Sequence, residues 1–162
     1  VLDGGLPAWE NENFPIQKTH LISKEKGNFK ANFQSEKIKD TTQVLSAIQN
    51  EEFIIADARS EGRFFATEPE PRKEVRGGHI PTSISLPYGK LLEDGKMKSI
   101  DVLNELFKEV NPNEKELIFS CGSGITACIL ALGAALTKNN NHSVYDGSWT
   151  EWGSRKELPI EK

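Results

Sequence analysis

The sequence has few of the residues that hold metals, span membranes or grip polyanions. Its 162 residues contain two cysteines and three histidines, and no His or Cys pair stands at the spacing of a zinc site. No apolar run approaches the roughly 20 residues needed to cross a bilayer. Lys and Arg number 20 against 24 Asp and Glu, a net charge of −4. That balance gives no electrostatic basis for binding nucleic acid or an anionic membrane. Cys121 and Cys128 lie seven positions apart, about 10 Å of rise on a helix, too far for a mutual disulfide. Two unpaired thiols suit a reducing compartment, so a cytoplasmic location is expected, with a mitochondrial one as the alternative. Hydrophobic residues at 36% and charged residues at 27% are an ordinary balance, and the length is enough for one domain with its own core.

The chain is organised around Leu117-Ile118-Phe119-Ser120-Cys121-Gly122-Ser123-Gly124-Ile125-Thr126-Ala127-Cys128-Ile129-Leu130. A short apolar run predicts a strand, and an Ala-rich pattern predicts a helix over 126–136. The glycine loop between them sets Cys121 at the carboxyl edge of a sheet and the N-terminus of a helix. Ligands bind at that edge in open α/β sheets, and free helix N–H groups favour an anion there. A thiolate is such an anion, so Cys121 is the candidate nucleophile. The bland alternative is a buried cysteine acting as a small hydrophobe, but a core cysteine needs no glycine loop after it. Cys128 sits among Ala127, Ile129 and Leu130 and is read as structural.

The loop Gly122, Ser123, Gly124, Ile125 and Thr126 can aim several N–H groups at one anionic sulfur or substrate. A cysteine phosphatase needs an arginine six positions after its nucleophile. That position is Ala127, and no Arg or Lys lies between Cys121 and Leu136. The loop instead suits a persulfide, which takes sulfur from a donor and passes it to an acceptor. Ser123 offers a hydroxyl to the thiolate or to a substrate carbonyl; otherwise it is only a loop residue.

Elsewhere, periodicity predicts a helix from Asp40 with Val44, Leu45 and Ile48 on one face, and a buried strand over 52–57. It predicts a short strand at 84–86, a helix from Ser99 through Val110, and a last strand at 143–145. Phe29 to Phe33 alternates and is read as a short strand or an extended segment packed on the next domain. Strands alternating with helices mean an α/β fold: a parallel sheet of four to five strands with helices on both faces. The charged, Pro- and Gly-punctuated stretch 58–78 is a long loop of the kind that carries function. Arg59 follows the strand near Asp57 and reads as a structural ion pair, Arg76 as solvated, and His79 as structural. Arg63 and Arg72 stand where the loop can overhang Cys121. They are either a solvated face or a pair of guanidinium groups suited to a substrate carboxylate.

A repeat is also present. Val1-Leu2-Asp3-Gly4 through Trp9 matches Val144-Tyr145-Asp146-Gly147 through Trp152, about 143 residues later, and an apolar-Pro-Ile tail follows each. Residues 1–17 are therefore expected to be the last segment of a preceding repeat otherwise missing from this chain, with 18–34 an inter-domain linker and 35–162 one domain.

Asp57-Ala58-Arg59, Gly62-Arg63-Phe64, Thr67-Glu68-Pro69-Glu70-Pro71-Arg72, Gly78-His79-Ile80-Pro81, the Cys121 loop and Tyr145 to Trp152 resemble the catalytic C-terminal domain of two-domain rhodanese-type sulfurtransferases. The resemblance spans nearly the whole chain. It implies a rhodanese fold for 35–162, and residues 1–17 look like the end of the family's inactive N-terminal rhodanese domain, a partner that supplies part of the active cleft. Family members that prefer thiosulfate carry basic residues directly after the cysteine, whereas Gly122-Ser123-Gly124 looks like the 3-mercaptopyruvate branch. The implied roles are Cys121 as the persulfide-forming nucleophile and Ser123 in proton handling. Arg63 and Arg72 would bind the donor's carboxylate and carbonyl, and Gly122, Gly124, Ile125 and Thr126 would form the binding loop. Ile125 stands where valine is commoner. The implied partners are a small-molecule sulfur donor and a thiol or thioredoxin-like acceptor, with no metal or organic cofactor. The competing readings are a thiosulfate:cyanide sulfurtransferase and a non-catalytic rhodanese-like binding module.

Overall fold

The apolar runs pair side by side. A computed structural model describes residues 1–19 and 26–162, so the expected linker at 18–34 lies partly outside the described residues. The strands are β1 (Ile38–Lys39), β2 (Phe53–Asp57), β3 (Ile84–Ser85), β4 (Leu92–Glu93), β5 (Lys96–Met97), β6 (Glu116–Ser120) and β7 (His142–Tyr145). The helices are α1 (Gly5–Asn11), α2 (Thr41–Ala47), α3 (Glu61–Phe64), α4 (Ile100–Val110), α5 (Ala127–Leu136) and α6 (Ser148–Ser154). Five strands form one parallel sheet in the order β1-β7-β6-β2-β3, as expected for α/β alternation. β4 and β5 form a separate antiparallel hairpin, turned by Asp94 and Gly95, both at positive φ. The sequence reading missed this hairpin.

Alternation along the central strands separates two cores. Ala56, Leu117 and Phe119 pack with Leu103 and Phe107 of α4 and with Leu130 and Ala134 of α5. Ile55, Ile118 and Tyr145 pack on the other face with Val44 and Ala47 of α2 and with Trp149 and Trp152 of α6. Full burial of each large apolar side chain contributes roughly 1.5–3 kcal/mol. Local caps define the helix starts. Asp40 and Gln43 form a reciprocal capping box at α2, and Ser99 accepts from the Val102 amide at α4.

Three expectations need correcting. Leu45 is 39% exposed, because α2 turns Thr41, Val44 and Ala47 to the sheet. Phe29 to Phe33 has no regular structure; both phenylalanines are exposed, and the sheet edge beside β7 is taken by Ile38–Lys39. Arg76 is not solvated. Its guanidinium donates to the carbonyls of Gly153, Trp152, Arg155 and Leu158, a cation seated on the carboxyl end of α6.

The repeated sequence takes similar local structure. α1 and α6 occupy matching positions in the two copies. Trp9 Nε1 donates to Pro15 O at 3.1 Å, and Trp152 Nε1 to Pro159 O at 2.7 Å. Their surroundings differ: Trp152 is fully buried and Trp9 is 37% exposed.

Candidate active site

β6 ends at Ser120 on the carboxyl edge of the sheet, and Cys121 begins the loop into α5. Two devices shape that loop. Gly124 has φ +86°, and a Cβ there would stand 3.0 Å from the carbonyl of Asp146, so the loop crosses closely over the turn after β7. From the other side, the first amides of α6 hold the loop's carbonyls: Trp149 N–H donates to Cys121 O at 2.9 Å and Thr150 N–H to Gly122 O at 2.8 Å. The Thr150 hydroxyl adds a bond to Gly122 O at 2.6 Å.

With its carbonyls held outward, the loop turns N–H groups inward. Gly124 N–H donates to Cys121 Sγ at 3.1 Å. Ser148 accepts from the Cys121 amide at 3.1 Å, and its hydroxyl lies 4.0 Å from the sulfur. Cys121 is 1% exposed. That burial alone would raise its pKa. The Thr126 hydroxyl, the Ala127 and Ser123 amides and the Ser148 hydroxyl outweigh it, and hold the thiol below its ordinary value. Cys128 moves the opposite way: burial and the nearby Cys121 raise its pKa, so of the two cysteines it is Cys121 whose thiolate form is favoured.

The long loop arches over this point. Ser60 caps α3 by accepting from the Arg63 amide, and Gly62 O accepts from the Thr67 and Glu68 amides at 2.8 and 2.9 Å. These bonds place Arg63 over the cysteine loop, where a Cβ on Gly122 would lie 3.1 Å from Arg63 Nη2. Arg72 donates to the Thr150 hydroxyl. Arg63, Glu70, Pro71, Arg72, Val75, Gly122, Ser123 and Thr150 line a cleft of about 240 Å³. The arrangement is a thiol whose thiolate form is favoured by its loop, beside a cleft lined by two guanidinium groups.

Behind the cleft, Arg59 and Asp57 are buried and paired at 2.7 Å. Arg59 also donates to Gly78 O at 2.7 Å and stacks on Trp149, 4.6 Å from the ring centroid. The expected structural ion pair is present. His79 is likewise structural: it stacks on Phe64 at 3.8 Å, and its Nδ1 lies 2.9 Å from Phe64 O. Among the described residues no group of three or more His, Cys, Asp or Glu is placed to hold a metal ion, and no helix is long and apolar enough to cross a membrane.

The fold therefore brings Cys121, Gly122, Ser123, Gly124, Thr126, Arg63 and Arg72 to one place, while the Ile125 side chain is 75% exposed. Sequence reasoning missed Ser148, Thr150 and Glu70. The first two were signalled by a helix starting directly after the last strand, at the same sheet edge as Cys121. The third was one of two acids, Glu68 and Glu70, between two arginines of interest. Gly124→Ala tests the loop's construction. It is expected to lower stability by about 1–3 kcal/mol through backbone strain and the contact with Asp146. Cys121 should lose anionic character with it, read as slower alkylation at fixed pH. A variant as stable and as reactive as wild type would contradict the geometry.

A model of the Rhodanese-like domain matches residues 40–155. The chain is 41% identical to 3-mercaptopyruvate sulfurtransferase of Mus musculus over 157 residues, which are 96% of this chain and 52% of that protein. It is 36% identical to 3-mercaptopyruvate sulfurtransferase of Escherichia coli strain K12, over 99% of this chain and 57% of that one. Thiosulfate sulfurtransferase of Rattus norvegicus is 37% identical over 96% of this chain and 53% of its own. Among solved structures, SseA from Escherichia coli, described under the rhodanese fold of 3-mercaptopyruvate sulfotransferases, matches with TM-score 0.73 and 33% identity, over 92% of this chain and 55% of that one. The chain thus spans about half the length of the curated relatives it matches. The family match takes in the parallel sheet from β2 onward, the cysteine loop and the loop that overhangs it, and the chain belongs to the rhodanese-like domain family.

Proposed function

We propose that the chain carries the catalytic half of a sulfurtransferase that takes sulfur from 3-mercaptopyruvate. The observation that carries this reading is the Cys121 thiol, its pKa lowered by loop N–H and hydroxyl groups, beside a cleft lined by Arg63 and Arg72. Arg63 and Arg72 hold the donor's carboxylate and carbonyl. The Cys121 thiolate attacks the donor's sulfur, and the carbon–sulfur bond breaks with its electron pair moving to carbon. The resulting enolate takes a proton and leaves as pyruvate. Loop amides, Ser123 and Ser148 stabilise the charge on sulfur. A thiol or thioredoxin-like acceptor, or cyanide, then attacks the outer sulfur, which restores the thiolate and yields an acceptor persulfide or thiocyanate. These steps call on no metal or organic cofactor. Free thiols at both cysteines suit a reducing compartment, cytoplasmic or mitochondrial.

The apolar hollow lined by Val1, Leu2, Leu6, Trp9 and Ile16 supports a further part of the reading. The corresponding positions of the second copy include the buried Tyr145, Trp149 and Trp152. We take residues 1–17 to pack against a preceding rhodanese domain that forms the other wall of the cleft.

Incubation with 3-mercaptopyruvate, followed by intact mass measurement, should show one added sulfur on the wild type. Loading should reach half its maximum at a pH below the ordinary thiol value, because a lowered pKa makes the thiolate available earlier as pH rises. A midpoint at or above that value would contradict the loop's role. Steady-state rates with both donors separate the branches: a clear thiosulfate preference would sink the mercaptopyruvate assignment. No sulfur addition at all would favour a binding module.

A further inference from the structure

The cleft carries three charged side chains, Arg63, Glu70 and Arg72. Glu70 is 5% exposed in its side chain and serves two arginines at once. Its Oε1 accepts from Arg59 Nη1 at 2.7 Å and from Arg63 Nε at 3.3 Å, and its Oε2 accepts from Arg63 Nη2 at 2.6 Å. Arg59 is itself fixed by Asp57, by Gly78 O and by the Trp149 ring. Glu70 is therefore a rigid strut running from a buried cation to one that faces the cysteine loop. It orients Arg63 so that Nη2, its remaining donor included, lies over Gly122. It also cancels one of the cleft's two positive charges. Arg72 makes no ion pair with a described residue, and Arg59 is balanced by Asp57. The cleft presents one net positive charge.

We propose that Glu70 is a positioning and specificity-determining residue: it aims Arg63 and sets the cleft to accept a donor with a single carboxylate in preference to a dianion. This rests on the sulfurtransferase reading above and names its selection rule. A pyruvate-like group brings one carboxylate, which one net cation neutralises. Thiosulfate brings two negative charges, and the second would stand against Glu70 in a site partly shielded from water, where like charges are costly.

The test compares Glu70→Gln and Glu70→Asp with wild type, measuring kcat/KM for 3-mercaptopyruvate and for thiosulfate together with melting temperature. Glu70→Gln keeps the shape and removes the charge. It should raise the ratio of thiosulfate to mercaptopyruvate kcat/KM about tenfold, the scale of one charge interaction in a half-shielded site. Glu70→Asp keeps the charge and should keep the wild-type ratio, with both rates lowered as Arg63 loses its support. A purely structural role would lower both donors alike and leave the ratio unchanged in Glu70→Gln, and that result overturns the proposal. If Glu70→Gln does not fold, thermal-shift titration of the wild type decides, with pyruvate against oxaloacetate, which adds one carboxylate. Tighter binding of pyruvate supports the charge rule, and equal or tighter binding of oxaloacetate overturns it. This measurement involves no sulfur chemistry, so it stands apart from sulfur loading, whose absence would count against the sulfurtransferase reading instead.

Discussion

Cys121→Ser is expected to abolish sulfur loading from 3-mercaptopyruvate and to lower transfer by about 10⁴-fold or more, the scale on which removal of a covalent nucleophile acts. The hydroxyl fits the same space and accepts the same bonds from Gly124 and its neighbours, so melting temperature should change little. A hydroxyl in this loop remains protonated at neutral pH, since loop N–H groups can move a thiol's pKa into range but not that of an alcohol. Cys128→Ser serves as the control. Its thiol donates to Gly124 O at 3.3 Å, its pKa is raised, and sulfur loading should match wild type. Loading that persisted in Cys121→Ser and disappeared in Cys128→Ser would reverse the assignment of the two cysteines.

The two cysteines also show what a sequence reveals and what it hides. The place of Cys121 between strand and helix was legible because its signal is local: an apolar run, a glycine loop and an Ala-rich helix. β2 and β6 were legible because strands buried on both faces must be continuously apolar, and Phe53 to Ala56 and Leu117 to Phe119 are. The α4 start was legible from Ser99. β1 was not, because two residues at a sheet edge leave no periodicity to read. Leu45 was misplaced because apolar spacing gives a helix a face without saying which flank meets the sheet. Ser148 and Thr150 act through partners remote in sequence, whereas Glu70 pairs within its own stretch, with Arg59 and Arg63, where irregular backbone leaves no periodicity to say which acid turns inward. Ser148 meets a residue 27 positions away, and Arg72 meets Thr150 across 78. Only the parallel order β7-β6-β2 brings the α6 start beside the cysteine loop, and strand order is set by packing between elements. Arg76 was misread for the same reason: its partners are carbonyls at the far end of α6.

The arginines of one loop should divide sharply by what surrounds them. Arg63→Ala and Arg72→Ala are each expected to lower kcat/KM for 3-mercaptopyruvate by about 10²-fold, the scale of a lost charge-assisted hydrogen bond to a carboxylate. The loss should fall mainly on KM, because the contact is made to a part of the donor that does not react. Arg63 is one quarter exposed in its side chain and Arg72 is exposed, so neither change should move melting temperature far. Removing Arg63 still leaves Glu70 paired with Arg59. Lysine at either position restores the charge without the fork, and should recover only part of the loss. Arg59→Ala is the contrasting case. It leaves Asp57 buried with no counter-charge, strips Glu70 of its inner partner and removes the cation from the Trp149 face. Breaking a buried pair from one side costs about 3–5 kcal/mol, so this variant should be the one that unfolds early. Equal stability loss across all three would mean that the loop acts as a single structural unit. Normal kinetics in Arg63→Ala and Arg72→Ala would remove the carboxylate clamp from the mechanism.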